Sequence, residues 1–194
     1  MSPAPMTRLR HIPNAITVLR MVAAVPLAWA IGAGEYANAL AWAFAAGASD
    51  ALDGLLAKRF GWQSELGGRI DPLADKLLLF AATLALVLAG DLPGWWLALS
   101  VGRDLVIVGG AVAYHRLIGP LVTRPSLLSK LTTSLQIALV LAALMGAVGS
   151  IRWPSVATEV LLWLAAAATL ASGVHYVLTW SRRARREWPH RIGQ

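Results

Sequence analysis

The sequence predicts an all-α integral membrane protein with six transmembrane helices. Hydrophobic residues make up 57% of its 194 residues and the mean hydropathy is +0.61, values that are typical of membrane proteins. Six apolar runs, each close to the roughly 20 residues that a spanning helix needs, are separated by short connectors. No polar stretch is long enough for a soluble domain. We therefore expect one membrane-embedded domain over residues 1–194, with a basic tail from about residue 181.

The first predicted helix, residues 13–33, resembles a secretion signal because basic residues precede its apolar run. Arg20 lies inside that run, however, and a charge there is unusual for the apolar region of a signal peptide. We therefore interpret this segment as the first membrane helix. The small and acidic residues of the next connector, residues 32–35, end it.

The other five helices follow from the same alternation of apolar runs and turn residues. The connector over residues 58–70 contains three glycines, and the later connectors, at 90–93, 119–125 and 149–154, each combine glycine with proline. The five predicted helices cover residues 37–57, 71–90, 94–114, 127–149 and 156–180.

Basic residues are concentrated in alternate connectors, and this fixes the predicted orientation. The net charge is +7 although only 14% of the residues are charged. The N-terminus, the second and fourth connectors and the tail are basic, whereas the other connectors carry Glu35, Asp91 and a single arginine, Arg152. The positive-inside rule then places both termini in the cytoplasm. We expect a multi-pass protein of the inner (cytoplasmic) membrane whose basic residues meet anionic lipids and phosphates, with no nucleic acid as partner.

Four aspartates stand close together in the stretch SDALDGLLAKRFGWQSELGGRIDPLADK, residues 49–76. Asp50 and Asp53 are three residues apart and Asp71 and Asp75 four apart, so each pair lies on one face of a helix. Antiparallel second and third helices would bring both pairs together at the cytoplasmic face of the membrane. Because clustered carboxylates repel one another strongly in a low-dielectric site, this arrangement indicates bound divalent cations.

Magnesium or manganese suits this pattern, because both prefer oxygen ligands and are usually completed by substrate phosphates. Two such ions would serve phosphoryl transfer. Gly54 leaves the helix surface bare for a pyrophosphate, and Lys58 adds positive charge. The alternatives are aspartates paired with Arg69 or Lys76, or the ion pathway of a small cation or proton transporter. A transporter is disfavoured because no carboxylate is predicted at the membrane midplane.

The same stretch resembles the signature of the CDP-alcohol phosphatidyltransferases, D-x2-D-G-x2-A-R-x8-G-x3-D-x3-D. In this chain it reads Asp50-x2-Asp53-Gly54-x2-Ala57-Lys58-x8-Gly67-x3-Asp71-x3-Asp75. One position departs from the pattern, because lysine stands at residue 58 where the family usually has arginine. Lysine keeps the charge but loses the planar, two-pronged grip on phosphate. The six-helix layout also fits the fold of this family, so the resemblance covers nearly the whole chain.

The resemblance implies an enzyme that transfers the phosphatidyl group of a CDP-linked lipid, usually CDP-diacylglycerol, to an alcohol and releases CMP. It implies that the four aspartates bind the metal ions, Mg²⁺ or Mn²⁺, and that Asp75 is also the general base. The first helix begins with P-N-x-x-T-x-x-R, which in the family lines the nucleotide site. The residues implied to bind the nucleotide or its pyrophosphate are Asn14, Thr17, Arg20, Gly54, Ala57, Lys58 and Gly67.

Three further segments indicate a glycerol-type acceptor. GGRIDPLADK resembles the branch that contains phosphatidylglycerophosphate synthases and CMP-forming cardiolipin synthases, and VGRDLVIVGGAVAYHR and RPSLLSKLTTSLQ resemble the cardiolipin synthases. The favoured acceptor is therefore phosphatidylglycerol, with glycerol 3-phosphate as the alternative. Arg103 and Lys130 are candidate ligands of the acceptor phosphate, or else structural partners of Asp104. The family is usually dimeric, so a homodimer is expected.

Overall fold

In a computed structural model, the described part of the chain forms six α-helices in succession. The structure describes residues 12–60, 65–117, 119, 126–149 and 155–187, without the side chains of 12–15, 53–60, 65–70, 72 and 184–187. The helices are α1 (Ile12–Gly32), α2 (Tyr36–Phe60), α3 (Glu65–Leu88), α4 (Gly94–Leu117), α5 (Leu127–Val148) and α6 (Val156–Glu187). No strand occurs in these ranges, so the all-α prediction is confirmed.

The helices α3 and α6 are longer than the sequence predicts. Helix α3 begins at Glu65, so Gly67 and Gly68 are helical and the prediction that they belong to a connector was wrong. Each glycine costs a helix only about 1 kcal/mol relative to alanine, and the apolar part of α3 follows directly. Helix α6 continues to Glu187 because arginine is a good helix former and a basic last turn complements the helix dipole.

Glycines end the helices α1 and α3 in the same way. Gly34 and Gly90 have positive φ angles of 75° and 82°, a conformation that glycine adopts without a steric penalty. In each case the glycine N–H bonds to the carbonyl three residues back, and the next N–H bonds to the carbonyl five residues back. This is the Schellman motif, which satisfies carbonyl groups that a helix end leaves without partners.

The chain divides into two compact units. The first comprises Met1–Leu92 and Val140–Ser155, with α1, α2, α3 and the end of α5. The second comprises Pro93–Leu139 and Val156–Gln194, with α4, the first part of α5 and α6.

In the first unit α1 packs against both α2 and α3. Several of the buried side chains in this unit are small, among them Ala30 of α1, Ala39 of α2 and Ala74 of α3. Alanine lets helix backbones approach closely, as is typical of helices packed within membranes. At the opposite end of these helices from the signature aspartates, Tyr36 donates a 2.6 Å hydrogen bond to the buried carboxylate of Asp91. That bond links the start of α2 to the connector that follows α3.

In the second unit α4 packs against α6. The indole of Trp95 lies 5.5 Å from that of Trp163, measured between ring centroids. Gly110 faces the ring of Trp180, where a Cβ atom on the glycine would lie 2.5 Å from Cζ3 of the indole. A glycine at residue 110 therefore allows the two helices their close approach.

Three helices in the described ranges are long and apolar enough to cross a membrane. They are Gly94–Leu117, Leu127–Val148 and Val156–Arg183, with mean hydropathies of 1.5, 1.9 and 1.6. Helix α1 adds a shorter apolar segment, Ile16–Gly32. Many aliphatic side chains on these helices are exposed, for example Leu105 of α4 to 66%, Leu131 of α5 to 53% and Leu164 of α6 to 52%. Soluble monomers rarely expose so much apolar surface. These helices are therefore of the membrane type.

Candidate active site

Helix α1 carries two buried polar side chains among its described residues, Thr17 and Arg20. Thr17 and Arg20 are three residues apart, so they share one face of the helix. Both are buried, with exposed fractions of 1% and 2%. A buried hydroxyl, and still more a buried guanidinium, requires partners, because the loss of hydration is otherwise uncompensated.

The partners are aspartates of the signature stretch. Nη1 of Arg20 lies 2.6 Å from Oδ1 of Asp50 on α2 and 2.6 Å from Oδ1 of Asp75 on α3. One turn earlier on α1, the hydroxyl of Thr17 donates a 2.5 Å hydrogen bond to Oδ1 of Asp71. Three carboxylates from two helices thus meet the polar face of a third. We call these five side chains the carboxylate cluster.

The carboxylate cluster has a buried side and an exposed side. The side chain of Arg20 is 1% exposed, whereas those of Asp50 and Asp75 are 52% and 50% exposed. The guanidinium therefore lies beneath the carboxylates and leaves their outer surfaces accessible. Because both Oδ1 atoms are within 2.6 Å of one nitrogen, they are separated by no more than twice that distance.

The donor set of the cluster fits a hard divalent cation. Its exposed groups are carboxylate oxygens, the ligands that Mg²⁺ and Mn²⁺ prefer, and Mg²⁺ commonly takes only one or two protein carboxylates with substrate phosphates. No group of three acidic or histidine side chains arranged to hold a metal occurs among the residues searched, which exclude the side chain of Asp53. The converging pair, Asp50 and Asp75, is therefore the part of the predicted metal site that the structure brings together.

Six of the predicted site residues are described by their backbones alone. Their helical backbones are described, but the positions and contacts of their side chains lie outside the described residues. The predicted metal role of one and the predicted nucleotide roles of the others therefore stay predictions. These residues are Asp53, for the metal, and Asn14, Gly54, Ala57, Lys58 and Gly67, for the nucleotide.

The second unit contains a separate polar network around Arg103 of α4, whose exposed fraction is 7%. Its Nη1 donates to Asp104 at 2.7 Å, and its Nη2 donates to the hydroxyls of Ser129 and Ser172 at 2.8 and 2.9 Å. The structural pairing with Asp104 that the sequence left open is therefore present. The guanidinium also ties α4 to α5 and α6. Binding of the acceptor phosphate by Arg103 stays a prediction.

The serine partners of Arg103 were not identified from the sequence. Ser172 is fully buried beside Gly173, and a buried serine next to glycine in an apolar helix is a signal for close polar contact between helices. Lys130, the second predicted acceptor ligand, lies one residue after Ser129 and its side chain is exposed. Its predicted role also stays a prediction.

The chain is similar to known proteins over most of its length. The family model described as CDP-alcohol phosphatidyltransferase matches residues 10–171. A protein of Oryza sativa subsp. japonica named CDP-diacylglycerol–glycerol-3-phosphate 3-phosphatidyltransferase 1, chloroplastic, is 34% identical over 197 residues, covering 87% of this chain and 56% of the relative. A probable phosphatidylglycerophosphate synthase of Mycobacterium tuberculosis is 40% identical over 109 residues, covering 53% and 52%.

A probable cardiolipin synthase (CMP-forming) of Drosophila melanogaster is 30% identical over 186 residues, covering 86% of this chain and 56% of the relative. The chain thus spans about half the length of these curated relatives. The matched region of the family model includes all the predicted site residues, from Asn14 to Lys130.

Proposed function

Because the chain belongs to the CDP-alcohol phosphatidyltransferase family, we propose that it transfers the phosphatidyl group of CDP-diacylglycerol to an alcohol and releases CMP. The observation that carries this proposal is the convergence of Asp50 and Asp75, from two helices, on the buried guanidinium of Arg20. These two aspartates are the first and last of the family signature. Phospholipid biosynthesis is the process that the reaction serves.

In this reaction an acceptor hydroxyl attacks the phosphorus that carries the diacylglycerol. A new phosphorus–oxygen bond forms, and the bond between that phosphorus and the phosphate oxygen of CMP breaks. The hydroxyl proton must leave as the new bond forms, and Asp75 is the proposed general base. Arg20 holds Oδ1 of Asp75 while half of the side chain stays exposed. A carboxylate that is oriented but accessible is suited to accept a proton from a bound alcohol.

The proposed metal ligands are Asp50, Asp53, Asp71 and Asp75, for two ions of Mg²⁺ or Mn²⁺. Members of the family generally depend on divalent metals. When bound, the ions would neutralise the substrate pyrophosphate and the charge that develops on the leaving CMP. The half-exposed carboxylates of Asp50 and Asp75 support this assignment, because they present oxygen ligands on an accessible surface.

The proposed nucleotide site combines the start of α1 with the signature residues of α2 and α3. Asn14, Gly54, Ala57, Lys58 and Gly67 are assigned to it through the family resemblance.

Thr17 and Arg20 of α1 are assigned to the nucleotide site through the same resemblance. Their described polar contacts are with the carboxylates of Asp71, Asp50 and Asp75.

Two acceptors are proposed, and each has its own support. Phosphatidylglycerol is supported by the segments around Arg103 and Lys130, which resemble cardiolipin synthases, and by the relative of that name in Drosophila melanogaster. Glycerol 3-phosphate is supported by the relatives named for it in Oryza sativa and for phosphatidylglycerophosphate synthesis in Mycobacterium tuberculosis, which have the higher identities, 34% and 40%. Arg103 and Lys130 are the proposed contacts of the acceptor phosphate.

We further propose that all six helices span the inner membrane as one domain, with both termini and the carboxylate cluster on the cytoplasmic side. The distribution of basic connectors supports this orientation, and the three long apolar helices support a multi-pass chain. A homodimer is proposed from the family resemblance alone.

The test is to incubate the detergent-purified protein with labelled CDP-diacylglycerol and either acceptor, with and without MgCl₂ or MnCl₂. The proposal expects metal-dependent release of CMP together with cardiolipin or phosphatidylglycerophosphate, and mass spectrometry of the lipid identifies the acceptor. Absence of CMP with every alcohol tested contradicts it. Metal-dependent cation flux in liposomes without CMP release would favour the transporter instead.

A further inference from the structure

We propose that Arg20 is a positioning residue of the carboxylate cluster. Its buried guanidinium fixes Asp50 and Asp75 at a spacing that allows a divalent cation to bind on their exposed side. This inference rests on the proposed function, because it takes these carboxylates to be metal ligands. It gives Arg20 a part different from the nucleotide contact that the family resemblance implies.

Arg20 is almost completely buried. A guanidinium that is 98% buried among apolar helices is tolerated only with close anionic partners. The contacts with Asp50 and Asp75, both 2.6 Å, are short, as charge-assisted hydrogen bonds are. Each partner therefore restricts the others, and the positions of the two carboxylates are tied to that of the guanidinium.

The helices that carry Asp50 and Asp75 are both held by α1. Helix α1 packs against α2 and against α3, and in the described part of the first unit no comparable packing joins α2 to α3. Asp50 and Asp75 therefore approach each other across the polar face of α1, where Arg20 lies between them. Without the guanidinium, the two carboxylates would repel each other and the helices that carry them would have little to hold the aspartates together.

The guanidinium and the carboxylates of the cluster differ in exposure and in charge. Arg20 reaches the carboxylates from the buried side, and half of each carboxylate side chain faces outward. A cation arriving from the exposed side need not displace the guanidinium. Three carboxylates and one guanidinium leave two net negative charges in the described cluster, which one divalent cation balances.

Two effects of removing Arg20 oppose each other, and this makes the sign of the result informative. Loss of a nearby positive charge would by itself strengthen cation binding. Loss of a group that orients metal ligands typically weakens metal affinity 10- to 100-fold. Weaker binding in a variant without the charge can therefore be attributed to lost positioning of Asp50 and Asp75.

In the experiment, the full-length protein in detergent is titrated with MnCl₂. The thermal unfolding midpoint is measured at each Mn²⁺ concentration. The variants are Arg20→Gln, which removes the charge, and Arg20→Lys, which keeps the charge but offers a shorter point-like donor. Leu27→Ala is the matched control, because Leu27 lies on the same helix, is 1% exposed and is apolar. CMP release by the wild-type protein is measured alongside.

We expect Arg20→Gln to raise the half-maximal Mn²⁺ concentration at least 10-fold, Arg20→Lys to raise it less, and Leu27→Ala to leave it within twofold while lowering the unfolding midpoint. If Arg20→Gln does not fold, a rise in Arg20→Lys carries the same conclusion. An unchanged half-maximal Mn²⁺ concentration overturns the inference. A lower one also overturns it, because it shows that Arg20 competes with the cation. A wild-type protein that Mn²⁺ stabilises but that releases no CMP would instead contradict the proposed function.

Discussion

Asp75 is the side chain on which the proposed proton transfer depends. Asparagine at this position keeps the size of the side chain and an oxygen for Arg20, but it cannot accept a proton from the acceptor. We expect Asp75→Asn to lower kcat for CMP release by about 100-fold or more, the usual range for loss of a general base. Glu159→Gln, at an exposed carboxylate of α6, is the control and should keep full activity. An Asp75→Asn protein with wild-type activity would rule out the assignment.

Thr17 donates a hydrogen bond to Asp71 from a fully buried position. Thr17→Val keeps the shape of the side chain but removes this donor, so we expect a loss of about 1–3 kcal/mol in the free energy of unfolding. Thr17→Ser keeps the hydroxyl and should retain most of the stability. Equilibrium unfolding in detergent checks the difference, and equal stability of the valine and serine variants would argue against the bond.

The spacing of residues predicted which polar side chains share a face, but not which faces meet. Thr17 and Arg20, and likewise Asp71 and Asp75, were correctly placed together by their separations of three and four residues. Their pairing across helices depends on the register between α1 and α3. Apolar membrane helices can pack in many registers, so no local pattern encodes that register. The same limit applies to Arg103, whose partners Ser129 and Ser172 lie on two other helices.

The contact between α4 and α6 depends on a glycine that sequence patterns do not distinguish from its neighbour. A Cβ at Gly110 would lie 2.5 Å from Trp180, whereas a Cβ at Gly109 would have no atom within 4 Å. The indole of Trp180 has little freedom to move, because the ring of Tyr176 packs against it at 5.3 Å between centroids.

We therefore expect Gly110→Ala to destabilise the protein by about 1–3 kcal/mol, as overpacking of a close contact does. Gly109→Ala, the matched control, should be neutral or stabilising by up to about 1 kcal/mol, because alanine is the better helix former. Thermal unfolding in detergent measures both. A Gly110→Ala variant as stable as Gly109→Ala would mean that the two helices are not held in this contact.

The ends of the helices were predictable where a turn residue has a specific backbone role. Gly34 and Gly90 follow α1 and α3 with positive φ angles, as glycine after an apolar run indicates. Gly67 carries no such role. It lies inside α3. The prediction that Gly67 interrupts the helix was wrong because the free-energy penalty of one glycine is smaller than the stability that the rest of a long helix supplies.

The proposed orientation of the whole chain can be tested directly because the sequence contains no cysteine. Glu35→Cys places a thiol in the connector between α1 and α2, and Arg182→Cys places one near the end of α6, both at exposed positions. If both termini are cytoplasmic, a membrane-impermeant maleimide should label Glu35→Cys in intact cells and Arg182→Cys only after the membrane is permeabilised. The reverse labelling pattern would contradict the proposed orientation and place both termini outside the cytoplasm.

The most direct test of the central claim is the release of CMP from CDP-diacylglycerol by the purified protein, measured with MnCl₂ and with excess EDTA. We predict that release requires the acceptor alcohol and the divalent metal, and that the amount of CMP matches the amount of phosphatidyl product. Equal release in EDTA would contradict the metal site. No release in either condition, from protein shown to be folded, would contradict the phosphatidyltransferase activity itself.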